Sequence, residues 1–381
     1  MESKILGVIK KNSGRLENLS GYEKSVLVKI INCRTEPVPN LFSRCDCCSS
    51  VHPVYKSCKD RMCPVCNGSA SIKWAAKRES ELLPAGYFLL TYTVPFQLRS
   101  LFLANKKICY NLLFKSVSTS LIEGVHDNNR KFHGRAGFFG MLHTWDQKMG
   151  YHPHLHIVIP AGCLSIDGTE WISSNPSFFL PVKKMSADFR GKLLFYLHKE
   201  LKKGSLKIPD TFDEPGKILE DLKSISWVVN SQAPGRMRKK PEHVVRYLSR
   251  YVAKSAVSDS RIIKIESGNV HFSYYDRKKK QGKTEIITEI QFMKRLIMHV
   301  LPKGFKKVRF FGFMTNRYRA GNLVLCRMLL GQPLSDQEEQ NKKLLEDAAF
   351  LFWKYFKIDI TLCKECGKGH IHFVHSPDGG G

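Results

Sequence analysis

The chain has 381 residues, with 61 Lys and Arg against 34 Asp and Glu, giving a formal net charge of +27. Such a surplus repels itself unless a polyanion offsets it, so the composition points to nucleic acid as a partner. At 43% hydrophobic residues a disordered chain is excluded, and no apolar run approaches the roughly 18 residues of a membrane-spanning helix.

The length suits two or three domains, and three regions differ in composition. Residues 1–80 read as a helical lead (23–31) followed by a Cys-rich loop segment from Cys45 to Cys66. Residues 85–320 read as mixed α and β, an α+β fold. YFLLTYTV (87–94) predicts a strand, 100–120 an amphipathic helix, and GFFGMLHTW (137–145) a second strand. HLHIVI (154–159), ending at Pro160, predicts a central strand. A basic helix is expected over 185–203 and a strand over 226–230. PEHVVRYLSRYVAKSA (241–256) predicts a helix, with Pro241 at its first position and Val244, Tyr247, Leu248 and Tyr251 at helical spacing. RIIKIE and VHFSYYD flank Ser-Gly-Asn and predict a β-hairpin. Residues 321–381 read as a helical tail ending in a second Cys/His cluster. With no signal-peptide cleavage site near Met1–Lys11, the expected location is intracellular, with no membrane contact.

Twelve cysteines in a reducing compartment are expected as thiols, and their spacing decides what they do. Cys45-x2-Cys48 and Cys63-x2-Cys66 each present two thiolates from a tight turn, and together they would close one tetrahedral structural Zn2+ site. Cys58 and Cys47 are spares, and Cys58 can replace one of the four. In the tail, Cys363-x2-Cys366 followed by His370 and His372 forms a candidate second zinc set of local ligands.

His154 and His156 lie two apart on a predicted strand and therefore point to one face, where two imidazoles can hold a divalent ion. Tyr247 and Tyr251 lie four apart on the predicted helix and share a face, with Arg246, Arg250 and Lys254 around them as DNA-contacting cations. A phenol with a pKa near 10 needs nearby positive charge and a metal-polarised substrate to act as nucleophile. No GxxxxGK[ST] phosphate loop occurs, consistent with chemistry that needs no ATP.

The order HTW-x-Q, HPHLH, FFLPV, FRGK, W-V-V, YLSRY, HVLPKGF, FGF-x3-R and CR-x-LL resembles the insertion-sequence transposases of the IS91 family, within the HUH superfamily of endonucleases. The Cys region is similar too, as NC-RTEP followed by C-x2-C-x9-C-x2-RMCP-x-C, although Met62 stands where the pattern has His. The resemblance runs from about residue 20 to 330. It implies an HUH-endonuclease-like antiparallel sheet with flanking helices in an 85–320 catalytic domain, an N-terminal zinc ribbon within 1–80, and the 321–381 tail.

By the same resemblance, His154 and His156 are the HUH metal ligands, with Mg2+ or Mn2+, and Tyr247 and Tyr251 are the two catalytic tyrosines. Gln147, in a QKMG context similar to that of Helitron enzymes, is the implied third ligand, with His143 and His152 as rivals. The implied activity is nicking and rejoining of single-stranded DNA through a 5′-phosphotyrosine link, a rolling-circle route that relies on host replication or a helicase for unwinding. The competing readings are a catalytically inactive zinc-bearing DNA-binding regulator and a replication initiator or relaxase of the same superfamily. Intact HPHLH and paired tyrosines argue against the first, and the ribbon with FRGK, YLSRY and HVLPKGF against the second.

Overall fold

Two long segments, buried at nearly every position, build the sheet on which the histidines sit. A computed structural model of the chain describes residues 3–127, 132–234, 256–276, 279–332 and 347–375. These divide into two compact units, one made of 81–234 and 298–332, the other of 3–80, 256–297 and 347–375. The first unit holds a five-stranded antiparallel sheet in the order Val308–Gly312, Gly137–Trp145, Tyr151–Pro160, Tyr87–Thr93, Val229–Gln232. This bears out the α+β reading with antiparallel sheets.

One face of that sheet carries Phe88, Leu90, Tyr92, Phe138, Leu142, Leu155, Ile157 and Ile159, all buried in a single core with the helices Lys106–His126 and Val182–Lys202. The period of two along each strand sends Thr91, Met141, His143, His154 and His156 to the opposite face. Phe189, at the start of FRGK, meets Tyr92 edge-on at 5.3 Å and Trp227 at 5.2 Å, tying the second helix to the sheet.

The helix expected over 100–120 is broken. Arg99–Ala104 and Lys106–His126 flank Asn105, whose side-chain amide donates to the Leu101 carbonyl at 3.0 Å and the Lys207 carbonyl at 2.7 Å, while its oxygen accepts from the Lys207 amide. Pairing with that loop competes with continuing the helix.

In the second unit the helix Gly21–Ile31 opens on a capping box between Ser20 and Glu23. The Cys-rich stretch, expected as loop, contains a hairpin of Pro37–Cys45 and Val51–Tyr55. The RIIKIE hairpin forms as Ile262–Glu266 and Asn269–Asp276, turning at Ser267 (φ 47°) and Gly268 (φ 75°) as a two-residue turn with both φ positive requires. A third strand, Gln281–Thr288, extends it, and Glu289–Ile297 follows as a helix. Residues 256–297 therefore cluster with the N-terminal segment rather than with the large sheet that the 85–320 span was expected to contain. The tail is helical over Arg319–Leu329 and Ala348–Phe356, but then forms the strand Ile371–Val374, paired with Pro37–Cys45. Among the described residues no helix is long and apolar enough to cross a membrane.

Candidate metal centres

The hairpin Gly137–Trp145/Tyr151–Pro160 turns through Asp146–Gly150, where Asp146 Oδ1 accepts from the amides of Lys148 (2.9 Å) and Gly150 (2.7 Å). That turn sets the register, and the register puts His143 opposite His154 and Met141 opposite His156. One ligand atom from each of His143, His154 and His156 lies within 4.8 Å of the others. All three side chains are buried.

Hydrogen bonds aim two of the rings. His154 Nδ1 lies 2.7 Å from the His152 carbonyl, which only accepts, so Nδ1 carries the proton and the Nε2 lone pair is left for a ligand. His156 Nδ1 lies 3.1 Å from the Thr91 hydroxyl on the next strand, and donating there likewise leaves Nε2. Burial, reinforced by His156, His154 and Lys307, holds His143 well below the ordinary imidazole range, so it is neutral, as a ligand must be. Its ring stacks on Trp145 at 5.3 Å. Behind the hairpin, His299 Nε2 donates to the Met149 carbonyl at 3.0 Å and Nδ1 accepts from the Thr144 hydroxyl at 3.1 Å, fixing the turn.

His154 and His156 thus come together, with His143 as the third imidazole. Gln147 is exposed in the turn. His152 Nδ1 faces the Arg99 guanidinium. Tyr247, Tyr251, Arg246, Arg250 and Lys254, with residues 241–255 of the helix expected over 241–256, lie outside the described residues.

Eight cysteines form two groups of four, divided differently from the two sets expected. Cys33, Cys58, Cys63 and Cys66 gather, and so do Cys45, Cys48, Cys363 and Cys366, the Sγ atoms of each group lying within 4.8 Å of one another. The set expected from sequence, Cys45, Cys48, Cys63 and Cys66, is therefore split. The reason is the hairpin: Cys45 and Cys48 sit at its tip, while Cys33 and Cys58 flank its base. The five residues of Val51–Tyr55 hold tip and base about 17 Å apart. No single ion bridges that gap. Cys33, in the NC-RTEP motif but not assigned as a ligand, completes the basal group.

In that group the Sγ atoms of Cys58 and Cys66 are 3.7 Å apart, near the edge of about 3.8 Å of a tetrahedron with Zn–S bonds of about 2.3 Å. Burial works against a Cys66 thiolate, but hydrogen bonds from the Ser57 hydroxyl and the Cys33 thiol outweigh it and bring Cys66 down to about 6. The tail histidines do not join Cys363 and Cys366. His370 turns to Asp359, Nδ1 to Oδ2 3.5 Å, and His372 to Asp46, Nε2 to Oδ2 3.5 Å.

Comparison with known proteins covers most of the chain. Residues 6–94 match the family described as "Transposase zinc-binding domain", which encloses the whole basal group, and residues 137–321 match the family described as "Putative transposase", which encloses the three histidines. A protein of Sinorhizobium fredii named "Putative transposase y4qJ" is 34% identical, over 95% of this chain and 91% of its own length. The "Transposase for insertion sequence element IS801" of Pseudomonas savastanoi pv. phaseolicola is 26% identical, over 78% of this chain and 72% of its own. No solved structure matches. With both domain families in order along one chain and a relative aligned nearly end to end, the protein belongs to the insertion-sequence transposases of the IS91 family.

Proposed function

We propose that this transposase cuts and rejoins single-stranded DNA with a tyrosine nucleophile beside a divalent ion held by His143, His154 and His156. The observation that carries the reading is the convergence of three buried imidazoles on the sheet face opposite the helical layer, within 4.8 Å of one another. The donor set fits an ion: the His143 ring is neutral, two rings are aimed by hydrogen bonds, and three nitrogens leave coordination positions open. His143 takes the third place in this reading rather than Gln147. An all-imidazole set is softer than Mg2+ prefers, so Mn2+ is the better fit. When bound, the ion would supply Lewis acidity to the non-bridging oxygens of the scissile phosphate.

The chain's own part is then positioning and attack. Tyr247 or Tyr251 loses its phenolic proton, with Arg246, Arg250 and Lys254 favouring the phenolate. The phenolate oxygen bonds to phosphorus as the bond to the 3′-oxygen breaks, and that oxygen leaves as a 3′-hydroxyl after taking up a proton. The 5′-phosphotyrosine conserves the bond energy, so a later 3′-hydroxyl can reverse the exchange on a new strand without ATP. Two tyrosines suit the two strand transfers of a rolling-circle route that moves the chain's own element. The partners of this reading are single-stranded DNA at the element ends and target, with unwinding supplied by host replication or a helicase, in the bacterial cytoplasm at the nucleoid. Most affinity comes from phosphate contacts by the +27 chain and falls steeply with salt.

The test is incubation of the full chain with labelled single-stranded DNA from the flanks of its own gene, in Mn2+ or Mg2+. A covalent adduct mapped by mass spectrometry to Tyr247 or Tyr251, and lost in the double Tyr→Phe variant, is expected. An adduct on another residue, or DNA binding with no adduct, overturns the reading, the latter in favour of a non-catalytic regulator.

A further inference from the structure

We propose that Cys45, Cys48, Cys363 and Cys366 bind a second zinc ion, which staples the C-terminal knuckle to the tip of the N-terminal hairpin. The matched zinc-binding domain ends at residue 94 and encloses only half of this set. Neither knuckle can complete a tetrahedron alone, and each supplies what the other lacks. Cys45 and Cys366 Sγ are 3.8 Å apart, and so are Cys48 and Cys363 Sγ. That is the edge, about 3.8 Å, of a tetrathiolate tetrahedron with bonds of about 2.3 Å. It is far too long for a disulfide of about 2.05 Å.

The backbone is shaped for this closure. The Cys47 amide donates to Cys45 Sγ at 3.4 Å and the Gly369 amide to Cys366 Sγ at 3.3 Å, so both turns aim N–H groups at a sulfur. Ile371–Val374 pairs with Pro37–Cys45, with Ile371 opposite Cys45. The Asp46 amide donates to the His370 carbonyl at 3.1 Å, and the His370 amide to Asp46 Oδ1 at 2.7 Å. At Gly369 a Cβ would come 2.4 Å from Cys47 Cβ and 2.6 Å from Cys45 Sγ, so only glycine lets the two knuckles approach. Four clustered thiolates select a soft, tetrahedral divalent ion, and in a cell that is zinc.

The alternative of a local site from Cys363, Cys366, His370 and His372 conflicts with the geometry, since both histidines turn to carboxylates. The staple joins sulfurs as far as 321 residues apart in the chain. The metal then reinforces an anchoring that strand pairing, the Asp46–His370 bonds and the packing of Leu351 against Ile72 and Ala76 also support, so its removal should loosen the tail strand on the hairpin.

The test is elemental analysis and zinc-edge X-ray absorption on the purified full chain carrying His143→Ala, His154→Ala and His156→Ala, so that the imidazole cluster contributes no zinc. Two zinc per chain are expected in this parent, with about four sulfurs per zinc near 2.3 Å and no nitrogen shell. Cys363→Ser with Cys366→Ser added should leave one zinc, whereas His370→Ala with His372→Ala added should leave two. One zinc in the parent, two in the cysteine variant, or a nitrogen shell near 2.0–2.1 Å overturns the staple. Should the cysteine variant fail to fold, the parent's stoichiometry and absorption spectrum decide.

Discussion

His143 stands directly across the antiparallel hairpin from His154, and the two rings meet edge-on with centroids 5.2 Å apart. Two imidazoles from one strand and a third from its neighbour form a triangle whose dimensions are set by strand spacing rather than by loop conformation. A site on paired strands keeps its geometry before substrate arrives, which is what metal-assisted phosphoryl transfer asks of a protein.

His143→Ala should therefore abolish metal-dependent nicking, as should His154→Ala, whereas Gln147→Ala should retain it. Loss of a direct ligand should exceed the roughly 10–100-fold that loss of a supporting hydrogen bond costs. Titration of Mn2+ by calorimetry, alongside nicking of labelled single strands, separates the two positions. Equal loss from Gln147→Ala and none from His143→Ala would return the third place to the glutamine.

Thr91→Val removes the hydroxyl beside His156 Nδ1 and keeps the side-chain volume. The ring then loses its orienting partner, and Mn2+ affinity should drop about 10–100-fold while DNA binding, which rests on phosphate contacts, stays near wild type. Unchanged metal affinity would mean that strand packing alone holds the ring.

The regular elements were legible where hydrophobic period and burial coincide. Gly137–Trp145 matches the span predicted from GFFGMLHTW, and HLHIVI lies inside Tyr151–Pro160. Several motif residues prove to be scaffold: Phe189 packs on Tyr92, and His299 braces the turn at Met149. The strand Gln281–Thr288 gave no signal because only Ile287 along it is buried. Zinc spacing was legible but not its pairing, since local CxxC spacing carries no information about which knuckles a hairpin keeps apart or a distant strand brings near. The third histidine was weighed as a ligand, but its position depends on where the turn closes, and only the register from Asp146–Gly150 decides that.

Cys33→Ser should cost one zinc per chain, since Cys33 belongs to the basal group, while Cys47→Ser, an exposed residue outside both groups, should cost none. Elemental analysis of the two variants is sufficient. The basal group also places Cys58 and Cys66 Sγ 3.7 Å apart, so cobalt substitution should report a tetrahedral thiolate site in the wild type and a weakened one in Cys33→Ser. Full zinc content in Cys33→Ser would remove Cys33 from the ligand set.

Burial pushes the His299 imidazole down to about 4, against an ordinary value near 6.5, with the Met149 carbonyl only partly opposing it. The folded chain keeps this ring neutral, bridging Thr144 and Met149, while the unfolded chain protonates it once the pH falls below about 6.5. Protons then bind preferentially to the unfolded state, so the contribution to stability is complete above about 6.5 and is lost as the pH falls toward about 4. Between pH 7 and pH 5 the loss from this one group should be about 2 kcal/mol. His299→Gln retains an N–H donor for Met149 but cannot titrate. It should lower stability at neutral pH and flatten the acid limb, so that urea unfolding curves of wild type and variant converge as the pH drops from 7 to 5. Curves that stay parallel over that window would show that His299 is not the neutral, buried brace behind the histidine hairpin.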